Sequence, residues 1–320
     1  WWQLHPAPFD DEVYSTTFVT EKTIEFIDES HAAGKPWLAW TSFPDPHHPL
    51  SPPEPWFSRY SADDVELPAT FTDPGDDWPM HLTVLRSLDP DQVEADQFVR
   101  PFGPTPAVAR AAIAATYGMI EAIDHGVGKI LDRLDALGVA DDTVIVFTSD
   151  HGDMMGDHGL IMKGAMHFQG CLRVPMAISA PGRAAGRTSS MAGSIDLPHT
   201  LLDLCGVSEY QGMQGHSLVP VLDDLDASVR TSVLVEDDFP PSMVGPGLPL
   251  KTRTLVTPGY RYSRDVLGQE QLYDLSDDPD ELRNLAVHDR DPARRYAALD
   301  ELTTALMGAD DQTRLEPVAP

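Results

Sequence analysis

The spacing of apolar and polar residues predicts a first part of the chain that is rich in long helices. Apolar positions recur at helical spacing over residues 19–30 and again from Pro106 to about Leu137, where Gly138 closes the pattern. A third helix is predicted over residues 196–204. The inner side of the long helix is predicted to carry Ile113, Tyr117, Ile120, Val127, Ile130, Leu131 and Leu134.

Short apolar runs between these helices predict buried strands over residues 37–40, 143–147 and 174–178. A continuous apolar run is typical of a strand in a parallel sheet that is covered on both faces. Because the strands alternate with helices, the fold class is predicted to be α/β, with a mostly parallel or mixed sheet and helices on both faces.

The pattern changes after Leu222. A helix is predicted over residues 292–307, after strands predicted over residues 232–235, 252–256, 260–263 and 271–275. We therefore predict two domains. Residues 1–224 are predicted to form an α/β core, and residues 225–320 a smaller α+β subdomain with an antiparallel sheet and one helix.

Composition narrows the choice of partners. The net charge of −29 over 320 residues argues against nucleic acid, because few cations are available to neutralise phosphates. No run of 18 apolar residues is present, so no membrane span is predicted. The two cysteines, Cys171 and Cys205, are too few for a disulfide framework and are interpreted as small buried hydrophobic residues.

The stretch TSDHGDMMGDHGLIMKG, residues 148–164, directly follows the apolar 143–147 run. In open α/β sheets ligands bind beyond the carboxyl ends of the strands. Asp150 and His151 lie there, and a carboxylate oxygen and an imidazole nitrogen are good ligands for a divalent cation. Gly152 permits the bend that would let both reach one ion. The alternative is a capped, solvated turn.

Three further residues of this region remain open to two interpretations. Lys163 is either a surface lysine or a cationic contact for an anionic substrate beside the metal. His158 and His167 are either further ligands or residues of turns and surfaces.

A second candidate loop, SFPDPHHPL, covers residues 42–50 and follows the predicted 37–40 strand. A histidine held between prolines at the end of a strand is well placed to act as a hydrogen-bond donor or general acid, which makes His47 a candidate catalytic residue. The alternative is a turn shaped by its prolines, with solvated histidines.

Together these stretches resemble the type I sulfatase family of the alkaline phosphatase superfamily. Residues 35–50 are similar to the strand and PHxPL loop of that family, and residues 148–163 resemble its most specific block. The resemblance continues in order along the chain. Before the 148–163 block it includes Tyr117, Ile120, Asp124 and Gly128, and after that block it includes Arg173-Val174-Pro175, Asp196, residues 201–204 and residues 215–218. Near the C-terminus it includes residues 272–285, with LYDL followed by Asp278, Pro279, Glu281, Asn284 and Leu285.

The resemblance implies a hydrolase of small-molecule or saccharide sulfate esters. It implies a divalent metal ion, most typically Ca²⁺ with Mg²⁺ or Mn²⁺ as alternatives, bound in part by Asp150 and His151. It also implies that Lys163 and His47 contact the sulfate and its leaving oxygen. The nucleophile of the family is a formylglycine, made from Cys or Ser in a C/S-x-P-x-R motif.

Cys171-Leu172-Arg173 and Cys205-Gly206-Val207 do not fit this motif, and the strand that carries the paired metal aspartates of the family is not found. We therefore expect formylglycine and the remaining ligands to lie upstream of this chain. The chain alone is then expected to be inactive. Gln169 also stands where many relatives have Glu. Two alternatives remain: a phosphonate monoester or phosphodiester hydrolase of the same superfamily, and a non-catalytic sulfatase-like binding protein.

Overall fold

The structure is a computed structural model and describes residues 4–87, 102–183, 185–210, 212–239, 250–288 and 292–309. Its first part is dominated by two helices that pack against each other, α1 (Ser15–Ala32) and α3 (Pro106–Leu137). Shorter helices are α2 (Met80–Arg86), α4 (Gln169–Leu172), α5 (Asp196–Leu204) and α6 (Val219–Asp223). Single 3₁₀ turns lie at Asp11–Val13, Ala62–Asp64, Ala69–Thr72, Ala140–Asp142 and Asp157–Gly159.

Helix α3 has the predicted bounds because both of its ends carry strong local signals. The Thr105 hydroxyl accepts a hydrogen bond from the N–H of Val108 at 3.3 Å, and Pro106 occupies the first helical turn. At the other end Gly138 adopts a left-handed conformation with φ 68°, which glycine reaches without a steric penalty. The helices predicted over 19–30 and 196–204 are also confirmed.

The inner face of α3 differs from the predicted one. Tyr117 and Ile120 are each 47% exposed, whereas the buried face consists largely of alanines and glycines. A Cβ on Gly118 would lie 2.1 Å from the carbonyl oxygen of Trp56, and one on Gly126 would lie 2.4 Å from the hydroxyl of Thr20. The helix therefore packs through small residues that permit close backbone approach, which a search for large apolar side chains overlooks.

Two strands follow α3. Strand β1 (Ile145–Thr148) pairs antiparallel with β2 (Met176–Ser179), with Ile145 opposite Ser179 and Thr148 opposite Met176. The α/β class is confirmed. The described pair is antiparallel, so a continuous apolar run did not distinguish a parallel from an antiparallel partner. Phe147 in β1 is 45% exposed.

The strand predicted over residues 37–40 is not formed. Exposed and half-buried residues alternate there as in a strand, with Leu38 at 67% and Trp40 at 82% exposure. Trp37 packs edge-on against Phe26 of α1, with ring centroids 6.4 Å apart. The prediction fails because a strand requires a hydrogen-bonded neighbour, and no described segment pairs with these residues.

The C-terminal part contains an antiparallel sheet, as predicted, and its strands lie in the order β3–β4–β5–β6. Its strands are β3 (Val233–Phe239), β4 (Leu250–Val256), β5 (Tyr260–Asp265) and β6 (Glu270–Asp274). Helices α7 (Leu285–His288) and α8 (Pro292–Ala309) follow. Ala298 and Leu302 of α8 pack with Leu255, Tyr262 and Leu272 of the sheet into a buried core.

A second core joins this sheet to the loop that follows β1. Tyr273 of β6 belongs to the same buried cluster as Met154, Leu160, Met162 and Phe168 of that loop. The loop is consequently part of the protein interior for much of its length. Among the described residues, none of the helices has both the length and the apolar character needed to cross a bilayer.

Candidate active site

The predicted metal pair lies where β1 ends. The Nε2 atom of His151 is 3.5 Å from Oδ2 of Asp150, and the two side chains are 44% and 83% exposed. The other oxygen of Asp150, Oδ1, accepts a hydrogen bond from the N–H of His151 at 3.0 Å. The two side chains are therefore adjacent and accessible, which is compatible with the binding of one cation between them.

The orientation of the His151 ring is set by a backbone carbonyl. Its Nδ1 lies 2.9 Å from the oxygen of Gly152, which can only accept, so Nδ1–H donates this bond. The neutral ring then carries its lone pair on Nε2, the atom that faces Asp150. A metal-binding histidine commonly has its second nitrogen fixed in this way by a carbonyl or carboxylate.

Gly152 is required by a close approach between two backbone segments. A Cβ at this position would lie 1.9 Å from the carbonyl oxygen of Gly170, and the N–H of Gly152 donates to the oxygen of Cys171 at 2.8 Å. The sequence pointed to the flexibility of glycine at a bend. The structure instead shows that Gly152 lets the loop lie directly against α4.

Gly152→Ala is therefore expected to lower the free energy of unfolding by roughly 1–3 kcal/mol or more, because the new methyl group must displace main chain. Gly128→Ala is the matched control. Gly128 lies on α3, and a Cβ added there would have no neighbouring atom within 4 Å. That change should be neutral or stabilise by up to about 1 kcal/mol. Urea unfolding of both variants measures the difference. Equal effects would contradict the assigned role of Gly152.

A half-buried carboxylate shapes the loop between Asp150 and Lys163. Oδ1 of Asp153 accepts hydrogen bonds from the N–H of Met155 at 3.2 Å and of Met162 at 2.7 Å. Met155 and Met162 both have positive φ, at 43° and 74°. Burial raises the pKa of Asp153, while the positive charge of Lys163 acts in the opposite direction. Asp153 thus holds the loop at the residue before Lys163, within the electrostatic reach of its ammonium.

His158 and His167 belong to the interior and are not placed as metal ligands. His158 is 1% exposed; its ring stacks on Phe168 at 4.0 Å, and its Nδ1 lies 2.7 Å from Asp73. His167 is 4% exposed, with Nδ1 2.6 Å from the hydroxyl of Thr254. Burial lowers the pKa of His167. Their partners show that both are structural groups.

His47 lies on a separate and largely exposed loop. Its Nδ1 is 2.7 Å from the carbonyl oxygen of His48, so Nδ1–H donates and proton exchange with a substrate would use Nε2. Asp45 of the same loop accepts a hydrogen bond from the Thr16 hydroxyl at the start of α1. Burial raises the pKa of Asp45. The loop is thereby fastened to α1.

Asp150 and His151 fit a divalent cation in their chemistry and supply two donors. Nowhere in the described part of the chain do three His, Cys, Asp or Glu side chains come together as a metal-holding group. Two donors fill only part of a coordination shell, so a cation held here would need further ligands.

Aromatic residues between the two candidate loops mostly have partners within the fold. The indole N–H of Trp56 donates to Asp11 at 2.6 Å, and Trp78 packs against His158 and Phe168. His81 is 5% exposed, and its burial lowers its pKa to about 4. Tyr60 is 41% exposed and lies edge-on to Tyr117. Packing accounts for all of these except Tyr60.

Comparison with known proteins identifies the family of the chain. The Sulfatase family model matches residues 3–207, which is more than half of the chain and contains both candidate loops. The chain belongs to the sulfatase family. A second model, N-sulphoglucosamine sulphohydrolase, C-terminal, matches residues 156–306. The resemblance inferred from the motifs is confirmed.

Two relatives within the sulfatase family are longer than this chain. The chain is 29% identical to an arylsulfatase of Clostridium perfringens over 290 residues, which cover 89% of this chain and 56% of that protein. It is 30% identical to a choline-sulfatase of Rhizobium meliloti, with 89% and 52% covered. The chain spans about half the length of these curated relatives.

Two solved structures share the fold. A phosphonate monoester hydrolase from Silicibacter pomeroyi superposes with a TM-score of 0.81 at 25% identity, covering 96% of this chain and 63% of that one. A protein solved with its substrate D-glucosamine-2-N,6-O-disulfate superposes with a TM-score of 0.79 at 19% identity, covering 93% and 70%. The second likeness shows the fold alone.

One stretch of the chain does spell the nucleophile motif of the sulfatase family, contrary to the sequence interpretation. Residues 179–183, SAPGR, have the form S-x-P-x-R. Ser179 lies at the end of β2, opposite Ile145 at the start of β1, whereas Asp150 follows the other end of β1. At roughly 3.3 Å per residue the two ends of the strand pair are about 10 Å apart. Ser179 therefore lies at the opposite end of the strand pair from Asp150 and is not placed as a nucleophile beside it.

Proposed function

We propose that the full-length protein hydrolyses sulfuric esters of small molecules or saccharides with a divalent cation, most typically Ca²⁺, held in part by Asp150 and His151. The observation that supports this most is the placement of the two side chains at the end of β1, with Nε2 of His151 directed toward Asp150 by the Gly152 carbonyl. The arylsulfatase and choline-sulfatase relatives agree with this reaction class.

Two residues of this chain would act on the transferred group. Lys163 would place an ammonium beside the sulfate and stabilise the negative charge that develops during transfer. His47 would protonate the leaving oxygen from Nε2. His151 would offer Nε2 to the cation while its Nδ1–H donates to the Gly152 carbonyl. A cation bound at Asp150 and His151 would add charge stabilisation at the same group.

The nucleophile is proposed to come from residues outside this chain, as a formylglycine in a C/S-x-P-x-R motif accompanied by a strand with paired aspartates. The coding sequence upstream of Trp1 tests this directly. A motif of that kind supports the enzyme. An upstream sequence without the motif and without the aspartates supports a non-catalytic sulfatase-like protein.

A phosphonate monoester hydrolase is the second candidate, since a solved enzyme with that activity shares the fold at a TM-score of 0.81. Its substrate also presents a tetrahedral anion, for which a cation and a lysine are equally suited.

A substrate panel separates the two. Full-length protein should cleave aryl sulfate monoesters with a higher kcat/KM than aryl phosphonate monoesters, and chelation of divalent metal should stop both reactions. A preference for the phosphonate esters would select the second candidate. Absence of both activities in metal-loaded protein would reject each of them.

A further inference from the structure

The segment that carries Lys163 is held at its far end by the C-terminal sheet. Three consecutive residues make the contacts. His167 meets Thr254 of β4 at 2.6 Å, and its Nε2 is 3.5 Å from Asp237 of β3. The guanidinium of Arg261 lies over the ring of Phe168, with its Cζ 5.3 Å from the ring centroid. The N–H of Gln169 donates to Oε2 of Glu281 at 2.7 Å.

Arg261 and Glu281 form a buried ion pair at the centre of these contacts. Their side chains are 0% and 2% exposed, and Nε of Arg261 donates to Oε1 of Glu281. Nη1 of Arg261 also donates to the Ser263 hydroxyl at 2.6 Å, and the guanidinium covers the ring of Tyr273 at 4.7 Å. Both oxygens of Glu281 are thus engaged, one by Arg261 and one by the main chain of Gln169.

The backbone of Glu281 is held in an uncommon conformation, with φ 54°. Among the described residues the other non-glycine residues with positive φ are Met155, His158 and Met162, all in the loop between His151 and Lys163. Such conformations cost about 1–3 kcal/mol each and persist where the surroundings over-determine them. Burying two charges is also costly, so an apolar pair would serve stability equally well. The ionic pair supplies something different, a directed acceptor for the Gln169 N–H.

We propose that Glu281, oriented by Arg261, is a positioning residue that sets the location of the Lys163 ammonium through the Gln169 N–H. The segment is then fixed on both sides of Lys163. Asp153 holds the N–H of Met162 on one side, and Glu281 holds the N–H of Gln169 on the other. Between them lies a turn closed by the Met166 N–H on the Gly164 carbonyl. This inference rests on the proposed role of Lys163.

Glu281→Gln is the variant that tests the contact with the smallest change in shape. Arg261 and the Gln169 N–H now bind different oxygens of Glu281, and a glutamine has an oxygen at only one of these positions and an NH₂ donor at the other. In the full-length enzyme kcat is expected to fall about tenfold to a hundredfold, the loss that a displacement of about 1 Å can cause.

The decisive comparison is made in a Lys163→Ala background. Because Glu281 acts through Lys163, adding Glu281→Gln to Lys163→Ala should change kcat by less than about threefold. A merely structural role would multiply the two losses. Arg261→Lys provides the same test if Glu281→Gln does not fold.

The matched control is Asp196→Asn, which weakens another buried ion pair. Asp196 is fully buried and pairs with Arg230, and its further bonds are to the N–H groups of Gly193 and His216, away from residues 163–169. It should lower the Tm and leave kcat within about twofold at temperatures where the protein is folded. Hydrogen exchange of the Gln169 amide should accelerate at least tenfold in Glu281→Gln and stay unchanged in Asp196→Asn.

The possible results separate this inference from the proposed function. Suppose that Lys163→Ala reduces kcat, and that the double variant loses as much kcat as the two single losses multiplied together. The positioning role of Glu281 is then rejected, and the proposed function stands. Unchanged exchange at Gln169 in Glu281→Gln would reject the positioning role as well. If Lys163→Ala leaves turnover intact, both the role of Lys163 and this inference are rejected.

Discussion

Asp150→Ala and His151→Ala are each expected to abolish turnover of sulfate esters by the full-length protein, with a loss on the order of a thousandfold or more in kcat/KM. A catalytic metal contributes several kcal/mol of charge stabilisation to the transition state. Each variant removes one of the two described donors, and the donors face each other at 3.5 Å. Turnover and bound metal, measured on the same preparation, should fall together.

Asp63→Ala serves as the control for the loss of one acidic charge. Asp63 is exposed in the 3₁₀ turn Ala62–Asp64, far along the chain from β1, and its variant should keep both activity and metal. The folded state should survive in the two site variants, because Asp150 and His151 are exposed and lie in none of the buried clusters. Retention of metal and turnover in either site variant would remove the metal assignment.

The secondary structure could be predicted wherever local signals determine it. Helix α3 has the predicted bounds because Thr105, Pro106 and Gly138 act at its ends without help from the rest of the fold. Local signals could not show whether residues 37–40 form a strand. A strand needs a hydrogen-bonded partner segment, and the local sequence does not specify one. For the same reason the apolar run of β1 left the direction of its partner open.

In the candidate site, too, contacts between sequence neighbours could be predicted and contacts between distant residues could not. Asp150 and His151 are sequence neighbours at the end of a strand, so their proximity could be predicted from the chain alone. The contacts of His158 and His167 come from Asp73 and Thr254, which are 85 and 87 residues away, and no spacing rule connects them. Glu281 is 112 residues from Gln169, and only the folded structure shows that the two meet.

These distant contacts also explain why the C-terminal sheet matters for the site. The loop after β1 shares a core with Tyr273 of β6, and its second half rests on β3, β4 and β5. Asp150 and His151, at the beginning of the loop, directly follow β1. Residues 167–169, after Lys163, contact the C-terminal part. If the two groups act together as proposed, their relative position depends on how these two parts of the fold pack.

Lys163→Ala is the second substitution with a large expected effect. In the full-length enzyme kcat for sulfate esters should fall about a hundredfold to a thousandfold, the loss seen when one preorganised donor to a developing negative charge is removed. Lys163 is half-buried, and its positive charge acts on the half-buried carboxylate of Asp153. The protein carries a net charge of −29, which makes a local cation more important for binding an anionic ester. Initial rates with an aryl sulfate monoester measure kcat and KM separately.

Lys22→Ala is the control for the loss of one lysine, since Lys22 is exposed on α1 and pairs only with its neighbour Glu25 among the described contacts. It should leave kcat and KM unchanged. Lys163→Arg tests geometry, because it keeps the charge but places a planar, forked group where a compact ammonium stood. It should recover part of the rate. Full activity in Lys163→Ala, with metal still bound, would show that the positive charge at this position is not used, and the sulfate contact would then have to be sought elsewhere in the protein.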